Sequence, residues 1–373
     1  MHDPIRLPAV FFRLRARLLA HIDVPLLLIV LALMLCGLAT VYSATYDGNN
    51  RVFAQFLNMG LGLAVMWAVA QIPPQKLMRL AVPLYVIGVV LLLLVFLVGI
   101  RVNGAQRWLS LGFVRIQPSE ILKLALPLML AWYFHKHEAT LKARHFVAAA
   151  LLMLVPLALI AKQPDLGTAI LVGAAGFYVI FFSGLPWKAI GVMTLIAGAA
   201  APLLWSHLHD YQRKRILTLI DPTADPLGAG YHIIQSTIAI GSGGAVGKGW
   251  LNGTQTHLEF IPERHTDFIF AVFSEEWGLL GNAVLLFLYT LLIARGMMIA
   301  GNAPTLFSRA MAGSITLSFF TYIFVNMGMV SGILPVVGVP LPFLSYGGTA
   351  IVILCLALGV LMSIQTHRML VKK

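Results

Sequence analysis

The sequence predicts an all-α polytopic membrane protein of ten transmembrane helices, with one large extracytoplasmic loop between helices 7 and 8. Of 373 residues, 59% are hydrophobic and only 11% charged. Mean hydropathy is +0.88, well away from soluble-domain composition. The apolar residues fall in runs of about 20, the length that crosses a hydrocarbon core about 30 Å thick. Backbone groups in lipid must be satisfied within the segment, so such runs form helices.

The ten runs are 24–44, 52–71, 79–99, 119–134, 146–161, 167–183, 188–205, 267–293, 309–331 and 345–365. The first follows Arg6, Arg13, Arg15 and Arg17. Ser43-Ala44 imitates a cleavage site, but the run is too long for a signal peptide and reads as a span. Ten spans put both termini on one side, and the Lys and Arg bias makes that side cytoplasmic. Cys36 and Cys355 lie inside apolar runs and read as small hydrophobes, not a disulfide.

Segment 206–266 reads as the only sizeable extramembrane piece. Asp221-Pro222 and Asp225-Pro226 are turn or helix-start signals. His232 to Ile240 reads as a short interfacial helix. Gly241-Ser242-Gly243-Gly244 then breaks it as a flexible hinge. The stretch from Pro335 to Gly348 is apolar yet full of helix breakers. Non-helical backbone at membrane depth survives only against protein or a water-filled cavity, so this stretch reads as a cavity floor or wall. No internal repeat or linker divides residues 1–373, which read as one membrane domain.

The net charge of +12 sits mainly in loops. That pattern points to topology and anionic headgroups rather than nucleic acid. Ionisable residues inside spans cost about 2.5–3.5 kcal/mol on insertion scales and are functional candidates by default. Asp267 stands where the 206–266 loop enters the eighth span. A carboxylate there is also favoured by the helix dipole; the functional reading is a general base facing the outer surface. Glu275 lies about 80° around the same helix and Glu276 about 180°, so both cannot serve one site. One of them reads as a helix–helix hydrogen-bond partner.

Glu120 and Lys123 open the fourth span at i,i+3 and share a face. Pro118 and Glu120 suit a helix start, but that leaves Lys123 unexplained. A buried ion pair is a poor device for stability, so both are assigned to the site. Asp165 reads as a cap of the sixth span or a site residue. Arg51, Arg101, Arg107, Arg115, Arg213, Arg215 and Arg264, with Lys162, occupy outer loops. Guanidinium forks match phosphate; one alone is a headgroup anchor, several together a pyrophosphate cradle. Gly247-Lys248-Gly249 is not a nucleotide loop, because Ser242 and Gly249 stand where Gly and Ser or Thr are required. Lys248 stays a phosphate candidate. The loop histidines His207, His209, His232, His257 and His265 lack metal-ligand spacing.

Five long motifs carry a resemblance. They are Asp225-Pro226-Leu227-Gly228-Ala229-Gly230-Tyr231-His232-Ile233-Ile234-Gln235-Ser236, Gly247 to Trp250, Gly253 to Gln255, Phe260 to Phe270, and Pro335 to Gly348. Over nearly its whole length the chain resembles the SEDS family, the polytopic polymerases of bacterial cell-wall peptidoglycan. The loop favours the rod-shape branch over the division branch. One departure is Glu276-Trp277-Gly278, where the family implies Glu-Leu-Gly.

The resemblance implies a ten-helix glycosyltransferase of the inner membrane whose substrate is lipid II, a disaccharide-pentapeptide on undecaprenyl pyrophosphate. It implies Asp267 as the essential carboxylate, supported by Glu120 and Lys123. Gln235 and Ser345, inside the matching motifs, join the substrate-binding candidates. It also implies a class B penicillin-binding protein as partner. The residues suit that chemistry: one carboxylate deprotonates an acceptor hydroxyl, and cations stabilise the departing pyrophosphate. No cofactor is required, though a divalent cation (Mg2+ or Mn2+) suits such a leaving group. The alternative is a lipid II flippase or other transporter, which intramembrane charges and a broken helix would also suit. A pure scaffold leaves Asp267, Glu120 and Lys123 without a purpose.

Overall fold

The computed structural model describes the chain apart from residues 1–20, 46–48, 103–104, 111–114, 164, 208–209, 225–227, 262 and 368–373. The N-terminal arginines, the Asp225-Pro226 turn and the side chains of Arg101 and Arg115 therefore lie outside the described residues. A helix covers each of the ten apolar runs. They are α1 (Val24–Ala44), α2 (Asn49–Ala70), α4 (Ala81–Val98, after the short α3 at Pro74–Arg79), α5 (Pro118–Lys136), α6 (Ala143–Lys162), α7 (Leu166–Phe182), α8 (Trp187–His207), α12 (Ile269–Gly301), α13 (Leu306–Val330) and α14 (Gly348–Thr366). Among the described residues, seven helices are long and apolar enough to cross a membrane, and Leu166–Phe182 and Trp187–Leu203 are shorter apolar ones. The remaining one, α5, carries Glu120 and Lys123.

The helix starts follow local chemistry. Asp23 accepts from Leu26 N at 3.0 Å and caps α1. The same carboxylate takes a fork from Arg295 on α12, Nε at 3.0 Å and Nη2 at 2.5 Å, fastening those two helices. Thr305 caps α13 through Ser308 N. The core runs through α5, α13 and α14, in each of which more than half of the residues are buried, whereas α4 and α8 leave broad apolar faces exposed, as lipid contact requires.

Four features depart from the expectations above. The 206–266 segment is not the only folded piece between the apolar runs. Residues 100–116 form an antiparallel meander of β1 (Ile100–Val102), β2 (Ala105–Ser110) and β3 (Arg115–Ile116), so the fold is not purely helical. Within 206–266 lie three helices, α9 (Asp210–Ile220), α10 (Ala229–Ser242) and α11 (Thr254–His257). Helix α10 packs on α12 and α13, with Ser236 Oγ donating to Val330 O at 2.8 Å, rather than lying alone at an interface.

The third departure is a break in α12 at Gly278, where φ is 63° and ψ −160°. Such a break frees backbone groups that lipid cannot satisfy. The fourth departure supplies them. The glycine-rich loop is no flexible hinge; it is pressed against the break. Lys248 N donates to Glu275 O at 3.0 Å and Gly249 N to Glu276 O at 2.9 Å, while Leu279 N donates to Gly244 O at 2.9 Å and Leu280 N to Ala245 O at 3.0 Å. A Cβ on Gly247 would come within 2.1 Å of Glu276 O, so only glycine permits the approach.

Residues 331–347, between α13 and α14, contain no helix, as the helix breakers predict. Protein groups hold their backbone. Tyr289 on α12 donates to Pro342 O at 2.7 Å. Buried Gln55 on α2 donates to Ser345 O at 3.1 Å and accepts from Gly347 N at 3.3 Å.

Candidate active site

A polar cavity of about 220 Å³ opens where β2, the starts of α5 and α7, and the 338–340 stretch meet. Its walls include Arg107, Gln117, Glu120, Lys123, Asp165 and Gly338. Pro118 starts α5 and thereby sends Glu120 and Lys123 to one face. Their side chains are only 12% and 10% exposed, with Lys123 Nζ 2.5 Å from Glu120 Oε1. The ammonium also sits 5.3 Å from the centroid of the Tyr322 ring, a cation–π contact in a desolvated setting.

Across the cavity, Asp165 is both a helix cap and a wall residue. It caps α7 by accepting from Thr168 N at 3.2 Å, and it lines the cavity. Gln117 Nε2 donates to its Oδ2 at 3.1 Å, and Arg107 Nη1 lies 3.8 Å from its Oδ1. Arg107 Nε also points to Gln163 O at 3.4 Å. The β-meander that carries Arg107 was not read from the sequence.

Asp267 lies two residues ahead of α12, whose N-cap is Phe268. It is therefore outside the first helical turn, and helix-dipole stabilisation does not account for it. Its Oδ2 would lie 3.2 Å from a Cβ placed on Gly338, a cavity-wall residue with φ +72°. The carboxylate thus abuts the cavity wall. Burial, and then the Glu263 carboxylate, push its pKa up to about 6, the range of a general base near neutrality. Among the described residues no hydrogen bond or ion pair engages this carboxylate.

Several candidates stand elsewhere. Lys248 Nζ sits 2.7 Å from Glu275 Oε1 and 2.7 Å from Thr254 Oγ1. Glu275 is fully buried and also accepts from Gln255 N, Thr256 N and Thr256 Oγ1. A buried charge demands such a partner, so Lys248 latches the loop instead of waiting for phosphate. Ser345 is buried, accepts from Leu341 N and donates to Thr266 O, and is not among the cavity walls. Arg264 binds Ala44 O at 2.8 Å and Glu259 at 2.9 Å. Arg213 caps the end of α8 through Trp205 O and Ser206 O. Arg51 contacts the His265 ring at 3.2 Å. Arg215 on α9, exposed Lys162 and Gln235 on α10 are not among the cavity walls. Arg115 opens β3, but its side chain lies outside the described residues. Of the proposed arginine cradle, Arg107 is the described member that lines the cavity. Glu276 accepts from Ser43 Oγ on α1, the helix–helix bond expected of one of the paired glutamates.

Sequence reasoning missed Gln117, Tyr322 and Asn326. Gln117 stands directly before the Pro118 helix start, a readable signal. Asn326 is buried within an apolar helix, where a polar residue needs a partner, and that was the signal overlooked. Among the described residues, no three His, Cys, Asp or Glu side chains converge on a metal site.

A family model described as FtsW, RodA and SpoVE, cell cycle protein, matches residues 18–370. The peptidoglycan glycosyltransferase MrdB of Escherichia coli (strain K12) is 52% identical over 354 residues, covering 95% of this chain and 96% of its own. The probable peptidoglycan glycosyltransferase FtsW of Geobacter metallireducens is 35% identical, covering 95% and 98%. A chain of a solved peptidoglycan synthase complex that coordinates polymerization and crosslinking superposes with a TM-score of 0.81 at 36% identity, over 93% of this chain and 98% of that one. The rod shape determining protein RodA of Thermus thermophilus superposes with a TM-score of 0.70 at 31% identity, over 93% and 97%. In sequence and in three dimensions alike, the chain belongs to the FtsW/RodA/SpoVE family, the SEDS proteins.

Proposed function

We infer that the protein is a peptidoglycan glycosyltransferase that polymerises lipid II into glycan strands for lateral-wall elongation, with its chemistry at the cavity beside Asp267. The observation that carries the site is the uncommitted carboxylate of Asp267 against the wall that also presents Lys123, Glu120 and Arg107. In this reading Asp267 takes the proton of the 4-hydroxyl of the acceptor GlcNAc. That oxygen bonds to the anomeric carbon of the donor from the face opposite the leaving group. The bond from that carbon to the pyrophosphate oxygen breaks, and undecaprenyl pyrophosphate departs with the electron pair. The configuration inverts. Arg107 and Lys123 stabilise the departing charge, a preorganised electrostatic contribution. Glu120 holds the Lys123 ammonium in place.

Among the described residues, a divalent cation would find Glu120 and Asp165 lining the cavity, each already facing a cationic side chain, with the Asp267 carboxylate beside its wall. Magnesium sites commonly use one or two carboxylates plus substrate phosphates. Such an ion would therefore be held largely by the substrate's pyrophosphate, and no step above depends on it.

The same reading has ten spans in the bacterial inner membrane, both termini cytoplasmic and the cavity facing the periplasm. The partner is a class B penicillin-binding protein that crosslinks the product; likeness to a chain of a polymerising and crosslinking complex supports it. The broken α12 favours the transporter alternative, but the break is closed by backbone hydrogen bonds from residues 244–249.

The decisive assay supplies lipid II in detergent to the purified protein with its partner, transpeptidase blocked, and resolves the products on a gel. Glycan chains from wild type and none from Asp267→Asn are expected. No chains from wild type, with lipid II moving across proteoliposomes, would hand the case to transport.

A further inference from the structure

Three successive carbonyls, those of His265, Thr266 and Asp267, are each bound by a group of α13 or of the non-helical stretch that follows it. Tyr346 N donates to His265 O at 2.8 Å. Ser345 Oγ donates to Thr266 O at 2.7 Å. Asn326 Nδ2 donates to Asp267 O at 2.9 Å and, with its other hydrogen, to Val339 O at 2.7 Å. Both neighbours of that amide are carbonyl oxygens, so the nitrogen must face them and the orientation is fixed by the network. Asn326 is 0% exposed, and its Oδ1 has no partner among the described residues. A buried acceptor left unpaired calls for an explanation. Here the amide is committed as a double donor, and one asparagine on α13 joins the backbone of Asp267 to that of Val339 in the cavity wall.

We propose that Asn326 is a positioning residue for the transfer reaction: it fixes the Asp267 backbone against the 338–340 wall and so sets where the carboxylate meets the acceptor hydroxyl. The inference rests on the reading of Asp267 as the base. Neither Asn326 nor its amide touches substrate. Its effect passes through geometry, and a displacement near 1 Å at a reacting group costs on the order of 10²-fold in rate. The carbonyl of Asp267 is its own backbone, one Cα from the carboxylate stem, so slack there reaches the base directly.

The test compares Asn326→Ala, Tyr289→Phe and Asp267→Asn in the full-length protein with its partner, using lipid II. Tyr289→Phe removes the bond to Pro342 O, three residues beyond Val339 in the same non-helical stretch, and serves as the matched structural loss. The readouts are kcat, KM for lipid II, the acid limb of the pH profile and the thermal midpoint. Asn326→Ala should lower kcat on the order of 10²-fold with KM unchanged, and move the acid midpoint down as Asp267 becomes better hydrated. Tyr289→Phe should lower the thermal midpoint but keep kcat and the pH profile. If both variants lose activity only in step with stability, or Asn326→Ala keeps wild-type kcat, positioning by Asn326 is overturned. If Asn326→Ala does not fold, Ser345→Ala, which frees the adjacent Thr266 carbonyl, must show the same kcat loss at constant KM; wild-type kcat there overturns the proposal as well. Activity in Asp267→Asn sinks the base reading itself, whereas a dead Asp267→Asn beside a fully active Asn326→Ala sinks only the positioning.

Discussion

At Asp267, activity and stability pull in opposite directions. The folded protein holds this proton with a pKa of about 6 against an ordinary 3.8. The folded state therefore binds the proton more tightly than the unfolded chain, and stability falls as pH rises from about 3.8 through about 6. The base must be ionised to act, so kcat should rise through pH about 6 and level off above it. A pH–rate profile in detergent checks this; a flat profile from pH 5 to 8 would contradict it. Asp267→Asn should lose polymerase activity by on the order of 10²–10⁴-fold yet melt at a higher temperature than wild type at neutral pH. The Lys123–Glu120 pair behaves differently. Removing one member leaves a buried charge and costs about 3–5 kcal/mol. Lys123→Met should thus melt lower than the double variant Glu120→Gln, Lys123→Met, with both inactive. These three residues were legible because charge near or within a span is expensive and demands a reason. The arginine cradle was not. A guanidinium serves a phosphate, a helix end (Arg213) or a loop carbonyl (Arg264) equally well, and residue type alone does not say which.

Helix α12 carries the main surprise among the elements. Its apolar run continues through Gly278, so hydropathy shows one uninterrupted span. The glycines of 241–249 were equally ambiguous, since glycine signals either freedom or close approach. Only the fold shows that they sit against the break. The expected consequence is that Gly247→Ala and Gly278→Ala destabilise strongly. At Gly278 a Cβ would lie 2.3 Å from Gly247 N, with φ in the left-handed region; the backbone strain alone is about 1–3 kcal/mol. Gly60→Ala on α2, with nothing within 4 Å of the added carbon, should leave the thermal midpoint unchanged. Similar midpoints for all three variants would contradict the packing described. The β-meander escaped notice because β1 and β3 are only three and two residues long and the six residues of β2 do not alternate between apolar and polar, yet it is the element that brings Arg107 to the cavity.

On the scale of the whole molecule, the ten apolar runs and the non-helical 331–347 stretch were readable, because lipid forces a backbone either to be helical or to lean on protein. Sidedness follows from charge alone and needs its own measurement. In a background with Cys36 and Cys355 replaced, Ser110→Cys should react with a membrane-impermeant maleimide in intact spheroplasts. Gln75→Cys should react only after lysis; the reverse pattern would invert the topology. The backbone splice across Gly278 bears on biosynthesis as well. Residues 244–249 leave the ribosome before α12 does, and they complete its hydrogen bonding only once they stand beside it. Hydrophobicity can drive α12 into the bilayer, but the backbone groups of Glu275, Glu276, Leu279 and Leu280 at its break stay incompletely bonded until that earlier loop has folded back against them. Membrane insertion of this helix is thus a two-part event, in which a segment synthesised earlier finishes a helix that the translocon alone releases incomplete.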